Sequence, residues 1–489
     1  MTESNSLLTP KSSGPGKRSS LAPNLIMAIF VTCLGPVQFG YHIAELNAPQ
    51  KTMICSSQIS STNSSFIFQK YGLDTCIRMT DQQLGAITAS FSIGGLVGSF
   101  VAGKLAEKYG RKYVSVVNCL IAFLGSFIMF FSNSVLPMIL GRTIVGIAAG
   151  VSVVVTSLFI NDVAPVDWRG SLGTMNQLSI NLGILLTQFA GLKFVRNEDD
   201  GKWRWVMFIG MVLAILNLVL WIRVAESPRW LLAQGDVIGA EKALFLLRIG
   251  SYQDVKQEVQ TWKNENNNSS NNDTEANQST RDISLKEYFK ESQFKKARTA
   301  ITAILVGQQF CGINSIIFYG VKVISQLLPQ HAVLINLGIS LLNVIFTFVS
   351  STIIDKFGRK PLLITSTSIM AFSSFIISIS IVGKFPIILV SSTYLYIVAF
   401  ALGVGPIPFL IIGELSNKDD KAVAQSYGTV CNWIATFVVG YTFAVLSNWF
   451  SGYVYMLFAA FALWFAFYIK RHIPETKGKV DYRDVWSGY

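Results

Sequence analysis

Long uninterrupted apolar blocks decide what this chain can fold into. They run at about 24–44, 83–103, 113–132, 137–160, 171–193, 203–222, 299–320, 332–354, 361–382, 387–413, 422–446 and 452–470. Each is about 20 residues, the length a helix needs to cross about 30 Å of hydrocarbon. In that medium the backbone must satisfy its own hydrogen bonds, so the blocks are predicted to be helices. The first is too long for the core of a signal peptide and has no small-residue cleavage site after it, so it counts as a span. The expectation is an all-α membrane protein with twelve transmembrane helices.

Composition narrows the function classes. Only 14% of the 489 residues are charged and 51% are hydrophobic, whereas a soluble domain carries about 25% charge. That excludes a soluble multidomain enzyme, and 12% aromatics with so little charge exclude a chain that is mostly disordered. The net charge is +12. With the N-terminus placed in the cytoplasm, 30 Lys and Arg fall on that side, 9 on the other, and Arg142 inside a span. This bias predicts both termini in the cytoplasm. The charge then faces an anionic leaflet, and no nucleic acid is needed to explain it. Three scattered His and six Cys without ligand spacing give no metal site. No nucleophile–base pair or nucleotide loop suggests an enzyme, and no cofactor is expected.

The blocks divide the chain into a tail (1–23), a first helical half (24–222), a large loop (223–298), a second half (299–470) and a closing tail (471–489). Within the loop, the Asn-rich tract 264–280 has the composition of a disordered insert. In the first tail, Glu3, Leu7 and Leu8 resemble an acidic dileucine sorting signal, read by adaptors of the endosome–vacuole route. The segment 45–82, on the far side from the termini, holds a glycosylation acceptor at Asn63. It also holds Cys55 and Cys76, which either pair in an oxidising lumen or stay as free thiols.

An internal repeat is the most informative pattern. Gly103–Lys112 follows the second span, and Ser351–Lys360 follows the eighth, 248 residues later. Both carry an acid, Lys, an aromatic, Gly, Arg and Lys in register. Glu226 and Glu475 are 249 apart, and Asp162 and Glu414 are 252 apart. Charged loops recurring at one offset imply two six-helix halves in parallel orientation. The acids Glu107, Asp162, Glu226, Asp355, Glu414 and Glu475 and the bases Arg111, Arg169, Arg229 and Arg359 then cluster at helix ends, where partly exposed ion pairs of about 1 kcal/mol or less could act as a gate. Gly110 and Gly358 are expected to allow the tight turns between helices.

Seven motifs stand in order: Gln38-Phe-Gly-Tyr41 with Asn47-Ala-Pro-Gln50; Gly141-Arg142; Arg169-Gly170; Glu226-Ser-Pro-Arg229; Gln308-Gln309 with Gly312-Ile-Asn314; Gly405-Pro-Ile-Pro408; and Pro474-Glu-Thr-Lys-Gly478. Together they resemble the sugar porter family of the major facilitator superfamily, over about residues 24–478. The flavour is that of facilitative glucose transporters, and within the family that of fungal vacuolar members. The resemblance implies the major facilitator fold, alternating access, and a site for a small neutral sugar between the halves. Carried over, that site uses Gln177, Gln308, Gln309, Asn314 and Asn343, flanked by Phe409 and Trp433. The vacuolar membrane is the expected location, with the plasma membrane as the alternative.

The residue types suit such a substrate. Sugar hydroxyls donate and accept, and so do carboxamides, without charge. Amides at mid-membrane are costly unless paired, so a cluster suggests a site, although bonds between helices are the plainer use. Gln309 and Asn314 lie 140° apart on a straight helix at 100° per residue, so Gly312 is expected to break it. Gly403, Gly405, Pro406 and Pro408 suggest a second break, in span ten. Phe39, Tyr41, Phe318 and Tyr319 are gate or core aromatics.

Three residues depart from the family pattern. Ala401 stands where glucose carriers have an acid, Phe409 where they have Trp, and His42 where proton-coupled members have Asp opposite the Arg that matches Arg142. With no acid to hold a proton against Arg142, facilitative uniport is favoured over proton coupling through His42. A non-transporting sugar sensor is a further alternative. About 19 residues follow Lys470, short for the tail of such a sensor.

Overall fold

The computed structural model describes residues 21–55, 72–165, 168–194, 201–271, 285–417, 420–479 and 482–487. Asn63 and the sorting-type residues Glu3, Leu7 and Leu8 lie outside them. Among the described residues the only extended pairing is a single bridge, Ile54 to Ile77; everything else regular is helix. The first half comprises α1 (Pro23–Ala44), α2 (Asp81–Tyr109), α3 (Arg111–Phe130), α4 (Val135–Val163), α5 (Met175–Phe194) and α6 (Arg204–Trp221). In the second half two spans are broken. They give α7 (Lys295–Phe310) and α8 (Ile313–Ser325), α9 (Ala332–Phe357), α10 (Arg359–Val382), α11 (Pro386–Leu402) and α12 (Ile407–Leu415), then α13 (Lys421–Phe450) and α14 (Val454–His472).

Eleven helical stretches of the described chain are long and apolar enough to cross a membrane. The twelfth span is α5, whose 20 residues include Asn176, Gln177, Asn181 and Gln188. These amides are buried where α5 meets other helices, while Leu182, Leu186 and Phe189 are exposed on its outer face. Phe30, Leu120, Leu136, Phe348 and Leu463 are among the many large apolar side chains on the outside, where lipid covers them. The protein is therefore a multi-pass membrane protein.

Each half packs tightly. A Cβ at Gly94 of α2 would stand 2.0 Å from the Thr143 carbonyl oxygen, and one at Gly146 of α4 would stand 2.2 Å from that of Phe91. Only glycine lets these two backbones approach so closely. The halves meet along two seams, α2 against α13 and α5 against α9. Moving each helix to its counterpart in the other half turns one seam into the other, as a duplicated bundle requires.

Prolines inside spans leave the carbonyl four residues earlier without its helical donor. Three such carbonyls are each capped by a side chain from another helix. Pro36 frees Thr32 O, which accepts from Thr156 Oγ1 at 3.2 Å. Pro406 frees Leu402 O, which accepts from Ser350 Oγ at 2.9 Å. Pro408 frees Val404 O, which accepts from Gln308 Nε2 at 2.7 Å.

At the end away from the termini, Cys55 and Cys76 form a disulfide with a Cα–Cα distance of 5.1 Å. The buried Arg204 fixes this end by donating to the carbonyls of Phe130 (2.6 Å), Ser132 (2.8 Å) and Asp74 (2.8 Å). After α6 come the short helices Pro228–Ala233 and Val237–Leu247, then Tyr252–Asn271. The Asn-rich tract 264–280 is thus helical as far as Asn271; residues 272–284 lie outside the described ones.

Candidate functional site

The charged repeat builds two matching clamps at the end where α1 begins. In the first half Arg111 Nε lies 2.9 Å from Asp162 Oδ2, and Ser227 Oγ donates to the same carboxylate at 2.7 Å. In the second, Arg359 Nη2 lies 2.7 Å from Glu414 Oε1, and Thr476 Oγ1 donates to Glu414. Asp355 adds a contact to Arg359 at 3.3 Å. Glu226 and Glu475, expected to pair with basic side chains, do something else. Glu226 accepts the backbone N–H of Arg111 (2.9 Å) and of Lys112 (3.0 Å). Glu475 does the same for Arg359 (2.9 Å) and Lys360 (3.0 Å). Each carboxylate caps the N-terminus of a helix, where free N–H groups and the helix dipole favour an anion.

That arrangement explains Gly110 and Gly358. Both hold positive φ, 91° and 88°, and a Cβ would stand 2.3 Å and 2.7 Å from Glu226 and Glu475 respectively. Beyond making a turn, the glycines make room for the capping carboxylate. Each of these pairs and caps joins helices of one half. Arg229 stacks over the Trp262 ring at 4.6 Å. The Glu107 backbone carbonyl accepts from Trp230 Nε1 at 2.6 Å. Arg169 opens the short helix Arg169–Gly173, and its side chain lies outside the described residues.

At mid-depth the structure sorts the expected amides into two groups. The first surrounds the breaks in spans seven and ten. Gly312, at φ 97° and ψ 14°, separates α7 from α8, which turns Asn314 back so that its amide reaches Gln309 Oε1. Gln309 Nε2 donates to Gln308 Oε1 at 3.2 Å, which also accepts from Asn432 Nδ2 at 2.9 Å. Gln308 in turn caps Val404, so the two broken spans are tied through one side chain. The second group crosses between the halves. Gln177 Nε2 donates to Asn181 Oδ1 at 3.1 Å, and Asn181 Nδ2 donates to Asn343 Oδ1 at 3.0 Å and to Thr347 Oγ1 at 2.8 Å.

The aromatics form a third element. Trp433 of α13 reaches into the first half, 5.3 Å from Phe39 and 5.6 Å from Phe91 between ring centroids. It fits because residue 95 is glycine; a Cβ there would stand 2.4 Å from the indole. Its Nε1–H is buried and has no partner among the described residues. Phe409 packs against the cores of both halves.

The halves touch at both ends. Asn47 Nδ2 donates to Ile317 O at 2.9 Å at the far end, and Phe318 sits in the first half's core. At the end where α1 begins, Ser171 Oγ donates to Ser351 O at 3.4 Å. In this closed arrangement the amides bond to each other and to the backbone.

His42 overturns one expectation. Arg142 Nη1 donates to the His42 backbone carbonyl, and an acid does lie beside it. Glu45, just past the end of α1 and fully buried, places Oε1 2.7 Å from Arg142 Nη1 and Oε2 2.9 Å from His42 Nδ1. The absence of an acid near Arg142, on which uniport rested, does not hold. Sequence reading missed Glu45 because the first span was ended at residue 44 and its carboxylate was assigned to a loop. It also missed Asn181, one turn after Gln177, and Asn432, beside Trp433.

A duplicated twelve-span bundle with polar groups interlocked at the junction defines a membrane carrier. Residues 28–481 match the family described as "Sugar (and other) transporter". The chain is 50% identical to the Saccharomyces cerevisiae protein "Probable metabolite transport protein YBR241C", covering 99% of both chains. It is 41% identical to "Vacuolar protein sorting-associated protein 73" of the same yeast, over 96% of this chain and 98% of that one. To the rat facilitated glucose transporter member 3 the identity is 29%, over 96% and 94%. The solved structure of the proton:xylose symporter XylE with 6-bromo-6-deoxy-D-glucose superposes with a TM-score of 0.76 at 23% identity, covering 94% of this chain and 97% of that one. The chain belongs to the sugar transporter family and has the major facilitator fold; it is not an enzyme.

Proposed function

We propose that this chain carries a monosaccharide across a membrane by alternating access, with the two halves rocking about the amide groups at their junction. The observation that carries this reading is the bond network Gln177–Asn181–Asn343 between the halves, together with the Gln308–Gln309–Asn314–Asn432 group of the second half. A sugar entering between the halves replaces these amide–amide bonds with amide–hydroxyl bonds at little net cost, since both partners donate and accept. The unpartnered indole N–H of Trp433 offers a further donor, and its face and that of Phe409 offer apolar surface for a ring. With Ala401 buried in place of an acid, the site relies on neutral groups.

Both termini are proposed to face the cytoplasm, a reading supported by the basic loops. The vacuolar membrane is the proposed location, supported by the relative whose name is vacuolar protein sorting-associated protein 73; the plasma membrane is the alternative. The test is exchange of labelled hexoses, pentoses and polyols in proteoliposomes without a pH gradient. Saturable exchange of a monosaccharide supports the reading. Correctly inserted protein that exchanges none of them refutes it.

A further inference from the structure

The helix Val237–Leu247, in the loop that joins the halves, is apolar on two opposite faces. Ala240, Ala243, Leu244 and Leu247 are buried on one face. On the other, Ile238, Phe245 and Leu246 fall within an arc of about 100°. They are 65%, 45% and 51% exposed, and Ile249, just past the helix end, is 61% exposed. A helix whose outer face meets water keeps that face polar, whereas one that is apolar all round is buried. A contiguous apolar stripe of this kind marks a contact surface.

The position of the helix says what covers the stripe. Leu247 belongs to the core cluster of Ala22, Leu25 and Trp221, which lie at the ends of α1 and α6. Arg248 Nη1 donates at 2.9 Å to the carbonyl of Val163, the last residue of α4. The C-terminal end of the helix is therefore held at the level where three spans leave the hydrocarbon. Ile222, directly after α6, is 71% exposed, so the lipid-facing apolar surface reaches the same level. Lys242 is exposed inside the stripe, between Ile238 and Leu246. A lysine there lays its stem along apolar surface while its ammonium reaches an anionic headgroup. The tract 264–284 of the same loop brings Ala276 and Ile283 as its apolar residues, too few to cover four large side chains.

We propose that the helix Val237–Leu247 is an interfacial helix. Its stripe of Ile238, Phe245, Leu246 and Ile249 sits in the boundary between headgroups and acyl chains of the leaflet on the side bearing the termini, and Lys242 contacts lipid phosphate. The helix Pro228–Ala233 packs against it. That helix is capped by Ser227, whose hydroxyl also donates to Asp162 in the first clamp. The leaflet is thus tied to the clamp of the first half through two short helices.

Two measurements on the full chain in lipid vesicles test this. For the first, Cys431→Ala removes the one free cysteine that is not buried. A nitroxide is then attached in Ile238→Cys, Phe245→Cys or Leu246→Cys, with Gln234→Cys, exposed in the turn before the helix, as reference. Collisions with oxygen, which concentrates in lipid, should exceed those with a water-soluble nickel chelate at the three stripe sites, and the order should reverse at Gln234→Cys. Nickel collisions that dominate at all three stripe sites overturn the proposal. Spin–spin broadening that disappears on dilution with unlabelled chain would place a second copy on the stripe and overturn it too. Replacing zwitterionic lipid by anionic lipid should draw the Leu246→Cys label deeper, and Lys242→Glu should abolish that shift; an undiminished shift takes Lys242 out of the contact. The second measurement needs no substitution. A lipid with a photoreactive group on the upper part of its acyl chain should label the peptide 237–249. Labelling that reaches the spans and spares this peptide overturns the proposal.

Discussion

The two halves agree at one depth and differ at another. At the end bearing the termini, Arg111, Asp162, Ser227 and Glu226 in one half repeat as Arg359, Glu414, Thr476 and Glu475 in the other, with the same cap and the same partners. At mid-depth the first half holds an ionic triad, Glu45, His42 and Arg142, besides its amides Gln177 and Asn181, whereas the second holds amides and broken helices. A clamp that only has to hold helix ends together keeps its chemistry through duplication. In the interior, where each polar group is costly, the two halves hold different polar groups.

The clamps give the largest expected difference. Arg359 meets Glu414 through both Nε and Nη2 and meets Asp355 as well, whereas the described carboxylate contact of Arg111 is with Asp162. Removing one partner of a mostly buried ion pair leaves the other charge uncompensated, at about 3–5 kcal/mol for a fully buried pair. With the carboxylates of the second clamp about a quarter exposed, Arg359→Ala is expected to cost about 3 kcal/mol, and Arg111→Ala about half that. Denaturant titration of the purified protein measures both. Equal losses would break the comparison, because the extra Glu414 and Asp355 contacts would then contribute nothing.

Next in size is Gln308→Ala. It deletes the donor that caps Val404 O, the carbonyl that Pro408 leaves open, and removes an acceptor of Asn432 and Gln309. A buried unsatisfied group costs about 1–3 kcal/mol. If the same amide binds sugar, the half-saturating concentration rises by about tenfold or more in exchange assays. A loss of stability with unchanged half-saturation assigns Gln308 to the helix breaks alone and leaves sugar binding to the other amides.

The legible parts of this molecule are those with a period or a matched charge. Apolar blocks marked the spans, and even α5, diluted by four amides, stood out by length. The repeat at 248–252 residues gave the two halves because charged loops seldom recur by chance. Gly312 and the Gly-Pro run marked both helix breaks, since glycine and proline act locally. What could not be read were contacts made across helices. Nothing in the sequence says that Glu226 reaches back to the N-terminus of α3, or that Asn181 faces Asn343. Glu45 was missed for a sharper reason. A carboxylate one residue past a span counts as loop by pattern, yet here the chain stays buried for several residues beyond the helix, through Glu45, Leu46 and Asn47.

The smallest effect compares two proline caps. Thr156→Val removes the donor to Thr32 O in the first half, and Ser350→Ala removes the donor to Leu402 O in the second. Each deletes one hydrogen bond to a carbonyl, so each is expected to cost about 1 kcal/mol in the same denaturant titration. Thr156 also lines a small cavity with Asn118 and Asn217, so a valine there takes a hydroxyl from a polar lining as well as a cap from Thr32 O. Ser350 lies in the other half, away from that cavity. Thr156→Val is therefore expected to lose at least as much stability as Ser350→Ala. A smaller loss in Thr156→Val would mean that the carbonyl freed by Pro36 finds another partner once its cap is removed.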